Sequence, residues 1–204
     1  MSRHFEEENP LVQVRLEKLQ KLRSMGLDPF AVERYPITHP LEVIHEQFET
    51  LEGQTVCVAG RIFSIRQMGR ATFAHLMDTT GKLQIYLKAD ELGERYSLID
   101  LWDLGDYLGV KGFVFRTRTG EITVHVQEFT LLAKAVRPVP FPKEKGEQRW
   151  FELHDVEQRY RQRYLDLLVN PESRRRLLAR CRIVSEIRRF LESEGFIEVE
   201  TPVL

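Results

Sequence analysis

Between Gln54 and Leu132 the spacing of apolar residues changes from a helical stripe to alternation, and this limits the possible folds more than any other feature of the chain. A strand with one apolar face must bury that face, so a set of such strands has to pack against itself. The alternation predicts strands at Thr55 to Arg66, Thr72 to Met77 and Leu83 to Lys88, with Asp78-Thr79-Thr80-Gly81 as the turn between the second and third. Gly60 is expected to mark a bulge or bend in the first. A helical insert at Leu92 to Trp102 follows, then strands at Tyr107 to Arg118 and Ile122 to Leu132 joined through Thr119-Gly120-Glu121.

Three strands, a helix and two strands is the order of an OB-fold, a five-stranded Greek-key barrel. Other small barrels share parts of this pattern, and the helix between strands three and four favours the OB reading. Val12, Leu16, Leu19 and Leu22 predict a preceding helix ended by Gly26 and Pro29. A second helix, with Pro40 in its first turn, carries Leu41, Ile44, Phe48 and Leu51 on one stripe. Pro138, Pro140 and Pro142 make the segment after the barrel extended. A helix from about Asp155 to Val169 comes next, and Pro171 opens another with Asn170 as its cap. Leu177, Cys181, Val184, Ile187 and Leu191 form one apolar stripe on that helix, Gly195 ends it, and a strand follows. The fold class is therefore mainly β plus α. Its expected parts are an N-terminal helical extension (1–53), the barrel (54–135), a linker (136–153) and a helical C-terminal part (154–204).

A net charge of −1 does not by itself indicate a nucleic-acid binder. Its distribution is uneven. From Arg137 to Arg189 there are 14 lysines and arginines against 8 aspartates and glutamates, whereas Gln54 to Leu132 holds 9 of each. The acidic start, Met1 to Glu8, has no apolar signal core, and no apolar run is long enough to span a bilayer. Cys57 and Cys181 have no metal-ligand spacing and read as two reduced, buried thiols. A cytoplasmic protein is the expectation.

Alternation puts Ala74, Leu76, Leu83, Ile85 and Leu87 on a core side, and Phe73, His75, Gln84 and Tyr86 together on the opposite side. Phe73 offers a flat face for a base, Gln84 a donor and an acceptor for a Watson–Crick edge, and Arg66 a charge near the same surface. By pattern alone, Phe73 and Tyr86 could equally well pack under flanking helices.

The residues Val58-Ala59-Gly60-Arg61-Ile62, Arg66 to Phe73, Asp78, Gly81 to Tyr86, Trp102 to Asp106, Lys111-Gly112 and Thr117 to Glu121 together resemble the anticodon-binding barrel of lysyl-tRNA synthetases. The resemblance extends from about Leu11 to Leu204. It implies that the residue at Phe73 stacks on the central anticodon uridine and that Gln84 hydrogen-bonds it. It also implies that Arg66 contacts anticodon bases and that Glu121 helps select the neighbouring uridines. A carboxylate suits that last task because it accepts from uracil N3–H, although a glutamate in a hairpin turn is ordinarily just solvated.

Arg161-Gln162-Arg163-Tyr164-Leu165-Asp166-Leu167 is similar to lysyl-type enzymes, with aspartyl and asparaginyl relatives sharing only a Tyr-Leu-Asp-Leu core. Without that resemblance, these arginines and those from Arg174 to Arg189 read as a solvated helix face paired with carboxylates. Ile183 to Pro202 resembles class II motif 1, which implies a homodimer interface at Gly195, Phe196, Glu198 and Pro202. One departure is the stretch Pro142 to Glu152, where the family carries a His-Gly-Leu segment. The resemblance implies a lysine–tRNA ligase using ATP and Mg2+, with tRNA as partner. No words of motifs 2 and 3 occur before Leu204, so residues 1–204 alone are expected to read tRNA without catalysing. The alternatives are a non-catalytic, synthetase-derived OB protein that binds tRNA or RNA, and an aspartyl- or asparaginyl-type relative.

Overall fold

The structure, a computed structural model, describes residues 9–145, 148–150, 153 and 155–202. These fall into two compact units, residues 1–139 and 140–204. The acidic segment 1–8 lies outside the described residues, as does part of the divergent stretch 142–152.

In the first unit, α1 (Pro10–Ser24) starts where Asn9 Oδ1 accepts the Leu11 amide at 3.0 Å, and Pro10 occupies the first turn, where its missing N–H costs nothing. Val12, Leu19 and Leu22 point inward. The second predicted helix is split by Gln47 into α2 (Leu41–Glu46) and α3 (Phe48–Leu51). Pro40 sits just before α2 rather than inside it. Its cap comes from the β-turn of the barrel: Asp78 Oδ2 accepts from Leu41 N at 3.0 Å and Thr80 Oγ1 from Glu42 N at 3.1 Å. Burial pushes the Asp78 carboxyl up, but these and neighbouring hydrogen bonds outweigh it and hold the pKa below its ordinary value.

The barrel consists of β1 (Thr55–Met68), β2 (Ala71–Met77), β3 (Lys82–Lys88), β4 (Tyr107–Arg116) and β5 (Ile122–Ala133). Helix α4 (Ala89–Leu92) and a 3-10 helix (Gly93–Leu101) fill the predicted insert. The strands close in the order β1-β2-β3-β5-β4, with β3 and β5 parallel and the other neighbours antiparallel. This is the five-stranded OB barrel with N-terminal helices expected from the pattern. Its interior holds Val56, Val58, Ile62, Leu76, Ile85, Leu87, Val110, Val114 and Val124, with α2 and α3 adding Leu41, Ile44, Phe48 and Leu51 to the same core. The bulge in β1 falls between Ile62 and Ser64 rather than at Gly60. Gly60 serves a close approach instead: a Cβ there would lie 2.9 Å from the Met77 carbonyl oxygen.

In the second unit, β6 (Lys143–Lys145) and β7 (Gln148–Trp150) pair antiparallel. The helix expected from Asp155 to Val169 breaks at Gln162 into α5 (Val156–Arg161) and α6 (Arg163–Val169). The 23-residue α7 (Pro171–Ser193) follows. Asp166, its side chain fully buried, pins all three: it accepts from Arg159 Nε (2.8 Å), Arg163 Nη1 (2.7 Å), Asn170 Nδ2 (2.6 Å) and Ser173 Oγ (3.1 Å). Burial raises its pKa, yet the bonds from Asn170, Arg159 and Ser173 outweigh it and the net shift is downward. Exposed carboxylate pairs hold Arg161, Arg175 and Arg176, as expected for a solvated face. The stripe of Leu177, Val184, Ile187 and Leu191 is exposed within this unit.

Two further expectations change. Cys181 is exposed on α7, and Cys57 is only half-buried because it alternates outward between Val56 and Val58. Residues 196–202 form no strand, since no described segment pairs with them to complete a ladder.

Candidate nucleic-acid interface

Cross-strand register brings the predicted barrel residues to one place. Arg66 on β1 lies opposite Phe73 on β2, Phe73 opposite Tyr86 on β3, and His75 opposite Gln84. The parallel pairing of β3 and β5 then sets Gln84 beside Thr123. The result is an open groove of about 940 Å³ on the outside of the barrel, lined by Arg66, Phe73, His75, Gln84, Tyr86, Phe115, Arg118 and Glu121. All four predicted side chains, Arg66, Phe73, Gln84 and Glu121, line it.

The floor is aromatic. Phe73 and Tyr86 are 4.9 Å apart with planes tilted by 36°, and Tyr86 meets Phe115 edge-on at 6.2 Å. Phe73 remains partly exposed beside Tyr86, which leaves part of its ring open to a planar partner. Arg66 and Arg118 are exposed at the margin.

The other end is a chain of hydrogen bonds. Glu121 reaches the groove from the turn between β4 and β5, where its amide donates to Thr117 Oγ1 (3.0 Å) and Gly120 N to Thr117 O (2.9 Å). Its Oε1 is 2.8 Å from His75 Nε2, and its Oε2 accepts from Gln84 Nε2 at 2.6 Å. His75 Nδ1 is in turn 2.9 Å from Ser64 Oγ. On the far side, Gln84 Oε1 accepts from Thr123 Oγ1 at 2.8 Å.

Gln84 thus departs from the expectation of a free donor and acceptor on a wet surface. It is on the expected side of the sheet, but it is only 9% exposed, and its carbonyl oxygen is occupied by Thr123, itself fully buried. What remains toward the groove is N–H character. Sequence reasoning missed Thr123 because only the parallel β3–β5 pairing, distant in the chain, places it there. It placed His75 on this face but gave it no partner, since its contact is with a turn 46 residues away.

In the second unit, Gly195 has φ of 87° at the end of α7, Phe196 is 65% exposed, Glu198 pairs with Arg188 at 2.8 Å, and Pro202 is exposed. Among the described residues no group of three or more His, Cys, Asp or Glu side chains could hold a metal ion, and no helix is long and apolar enough to cross a membrane.

Residues 56–132 match a family described as an OB-fold nucleic acid binding domain, and residues 155–204 match tRNA synthetases class II (D, K and N). The lysine–tRNA ligase of Carboxydothermus hydrogenoformans is 49% identical over 200 residues, covering 98% of this chain and 39% of that protein. This chain is a homologue of the N-terminal portion of lysine–tRNA ligases. The Moorella thermoacetica ligase is 48% identical over 201 residues (98% and 40%), and that of Enterococcus faecalis 48% over 209 (98% and 40%). The chain therefore spans about two fifths of the length of these relatives. The groove lies wholly within the OB match, between Ser64 and Glu121.

Proposed function

We propose that this chain supplies anticodon recognition in a lysine–tRNA ligase, the enzyme that joins lysine to tRNA(Lys) at the expense of ATP. The observation that carries the reading is the junction of a partly exposed aromatic ring, Phe73, with a hydrogen-bonded carboxamide–carboxylate pair, Gln84 and Glu121, in one open groove. A ring beside directional polar groups suits an unstacked base, because the flat face holds any base and the polar end tests its edge. Glu121 repels phosphate at that end, which favours a base edge bearing N–H, as the N3 of uracil does. Each carboxylate oxygen has a further lone pair to accept it. Arg66 and Arg118 at the margin suit the backbone phosphates.

The remaining parts of the proposal rest on the homologues. The complete enzyme would use ATP and Mg2+ on residues other than those described here. Gly195, Phe196, Glu198 and Pro202 would join a homodimer interface, which accords with the exposed apolar stripe of α7. The setting would be the cytoplasm.

The test is binding of an anticodon stem-loop bearing UUU to the full chain, with and without Phe73→Ala. Loss of the stacking face is expected to weaken binding by about 1–3 kcal/mol. Unchanged affinity would make Phe73 a packing residue and remove the basis of the proposal.

A further inference from the structure

The polarity of the Gln84 carboxamide is held from both sides. Glu121 Oε2 stands 2.6 Å from Nε2, so turning the amide over would set two acceptor oxygens against each other at that distance. On the opposite side the Thr123 hydroxyl supplies a proton to Oε1 at 2.8 Å, in a spot closed to water. The carboxamide has four hydrogen-bonding valences: two N–H protons and two carbonyl lone pairs. Glu121 takes one proton, and Thr123 fills one of the two carbonyl lone pairs, its hydroxyl lying also 3.2 Å from the Glu121 carbonyl oxygen. The second Nε2 proton has no hydrogen-bond acceptor among the described residues, and Gln84 lines the groove.

From this we infer that Thr123 is a specificity-setting positioning residue: by holding the Gln84 carbonyl toward itself, a residue that does not line the groove, it leaves Gln84 to face the base as a donor-only reader. The inference rests on the anticodon reading proposed above. A donor-only reader accepts a base edge that offers a carbonyl, as uracil does at O4. It rejects an edge that offers an amino group at the same place, as cytosine does at N4, because two donors would then meet. Without the threonine hydroxyl, Oε1 loses its partner. The carboxamide is then held by Glu121 alone and can swing its oxygen toward the groove, where it accepts from the amino group of cytosine. Thr123 does not touch the base in this scheme; it acts through Gln84. Its effect should therefore appear in the ratio of two affinities more than in either one.

Binding constants of the full chain for stem-loops with anticodons UUU and UCU, measured at one fixed salt concentration, test this. The unsubstituted chain is expected to prefer UUU by roughly tenfold or more. Thr123→Val should cut that preference by at least about fivefold, chiefly through tighter UCU binding, whereas Thr123→Ser, which keeps the hydroxyl, should retain it within about twofold. Should circular dichroism show the valine variant unfolded, Thr123→Ala takes its place. A hydroxyl-free variant with the original preference, or a serine variant that loses it, overturns the inference while leaving the anticodon reading intact. Failure of the unsubstituted chain to bind either RNA overturns both.

Discussion

Replacing Lys134 by methionine tests whether a buried ion cluster holds the first unit together. The Lys134 side chain is fully buried just after β5, where its ammonium pairs with Asp103 and, at 2.7 Å, with the fully buried Asp106. Asp103 keeps a second cation, Lys18 of α1, at 2.9 Å. Among the described residues Asp106 would keep the backbone amides of Asp103 and Ala135, each at 2.8 Å. Stranding that carboxylate should cost about 3–5 kcal/mol at neutral pH. Even with the lysine present, burial pushes the Asp106 carboxyl above its ordinary pKa of 3.8, while Lys134 and Lys18 outweigh burial at Asp103 and hold it lower. Without the lysine, Asp106 rises further. A carboxyl whose folded pKa exceeds its unfolded one favours the fold when protonated and loses that contribution as pH rises through the folded value. The deficit of the variant should therefore shrink as pH falls from 7 toward 4, by at most about 1.4 kcal/mol per pH unit. Urea unfolding followed by fluorescence of Trp102, which packs edge-on against Phe129 at 5.0 Å, reports on this region; a Trp150→Phe background removes the second indole. A deficit below about 1 kcal/mol at pH 7, or one independent of pH, would refute the reasoning.

Two other expectations concern the barrel and the chemistry. A Cβ on Gly112 would lie 1.9 Å from the His125 carbonyl oxygen, where β4 and β5 shift register, so Gly112→Ala should destabilise the barrel by about 3 kcal/mol and lower its melting temperature by more than about 10 °C; an unchanged melt would show that the strands part freely. On the expectation drawn from the family resemblance, that the words of motifs 2 and 3 do not occur among residues 1–204, a polypeptide of those residues should give no lysine-dependent ATP–pyrophosphate exchange; measurable exchange would show that another set of residues stabilises the charge that develops on the α-phosphate.

Much of the site was legible before the fold was known. Alternation alone put Phe73, His75, Gln84 and Tyr86 on one side, because a side-chain period of two is a property of any strand. The turn at Thr119-Gly120-Glu121 was equally legible, and residue wording tied both to one family. What alternation could not tell was how wet that side is. Gln84 is covered because Thr123, His75 and Glu121 converge on it, and two of those contacts span more than 35 residues of sequence.

The helices show the same division. Stripes and the flanking Gly and Pro residues locate α1 and α7, since periodicity and chain breakers act within a turn or two of the residue concerned. Asn170, expected as the cap of α7, makes no side-chain cap bond and instead donates Nδ2 to Asp166 at 2.6 Å. The break at Gln162 carries no such signal; it accompanies the convergence of Arg159, Arg163 and Ser173 on one buried carboxylate, Asp166. The sequence by itself determined the order of strands, the face each residue occupies and the kind of chemistry on offer. Only the tertiary structure decided which groups satisfy one another, because a hydrogen bond across a barrel depends on register and closure that no local pattern records.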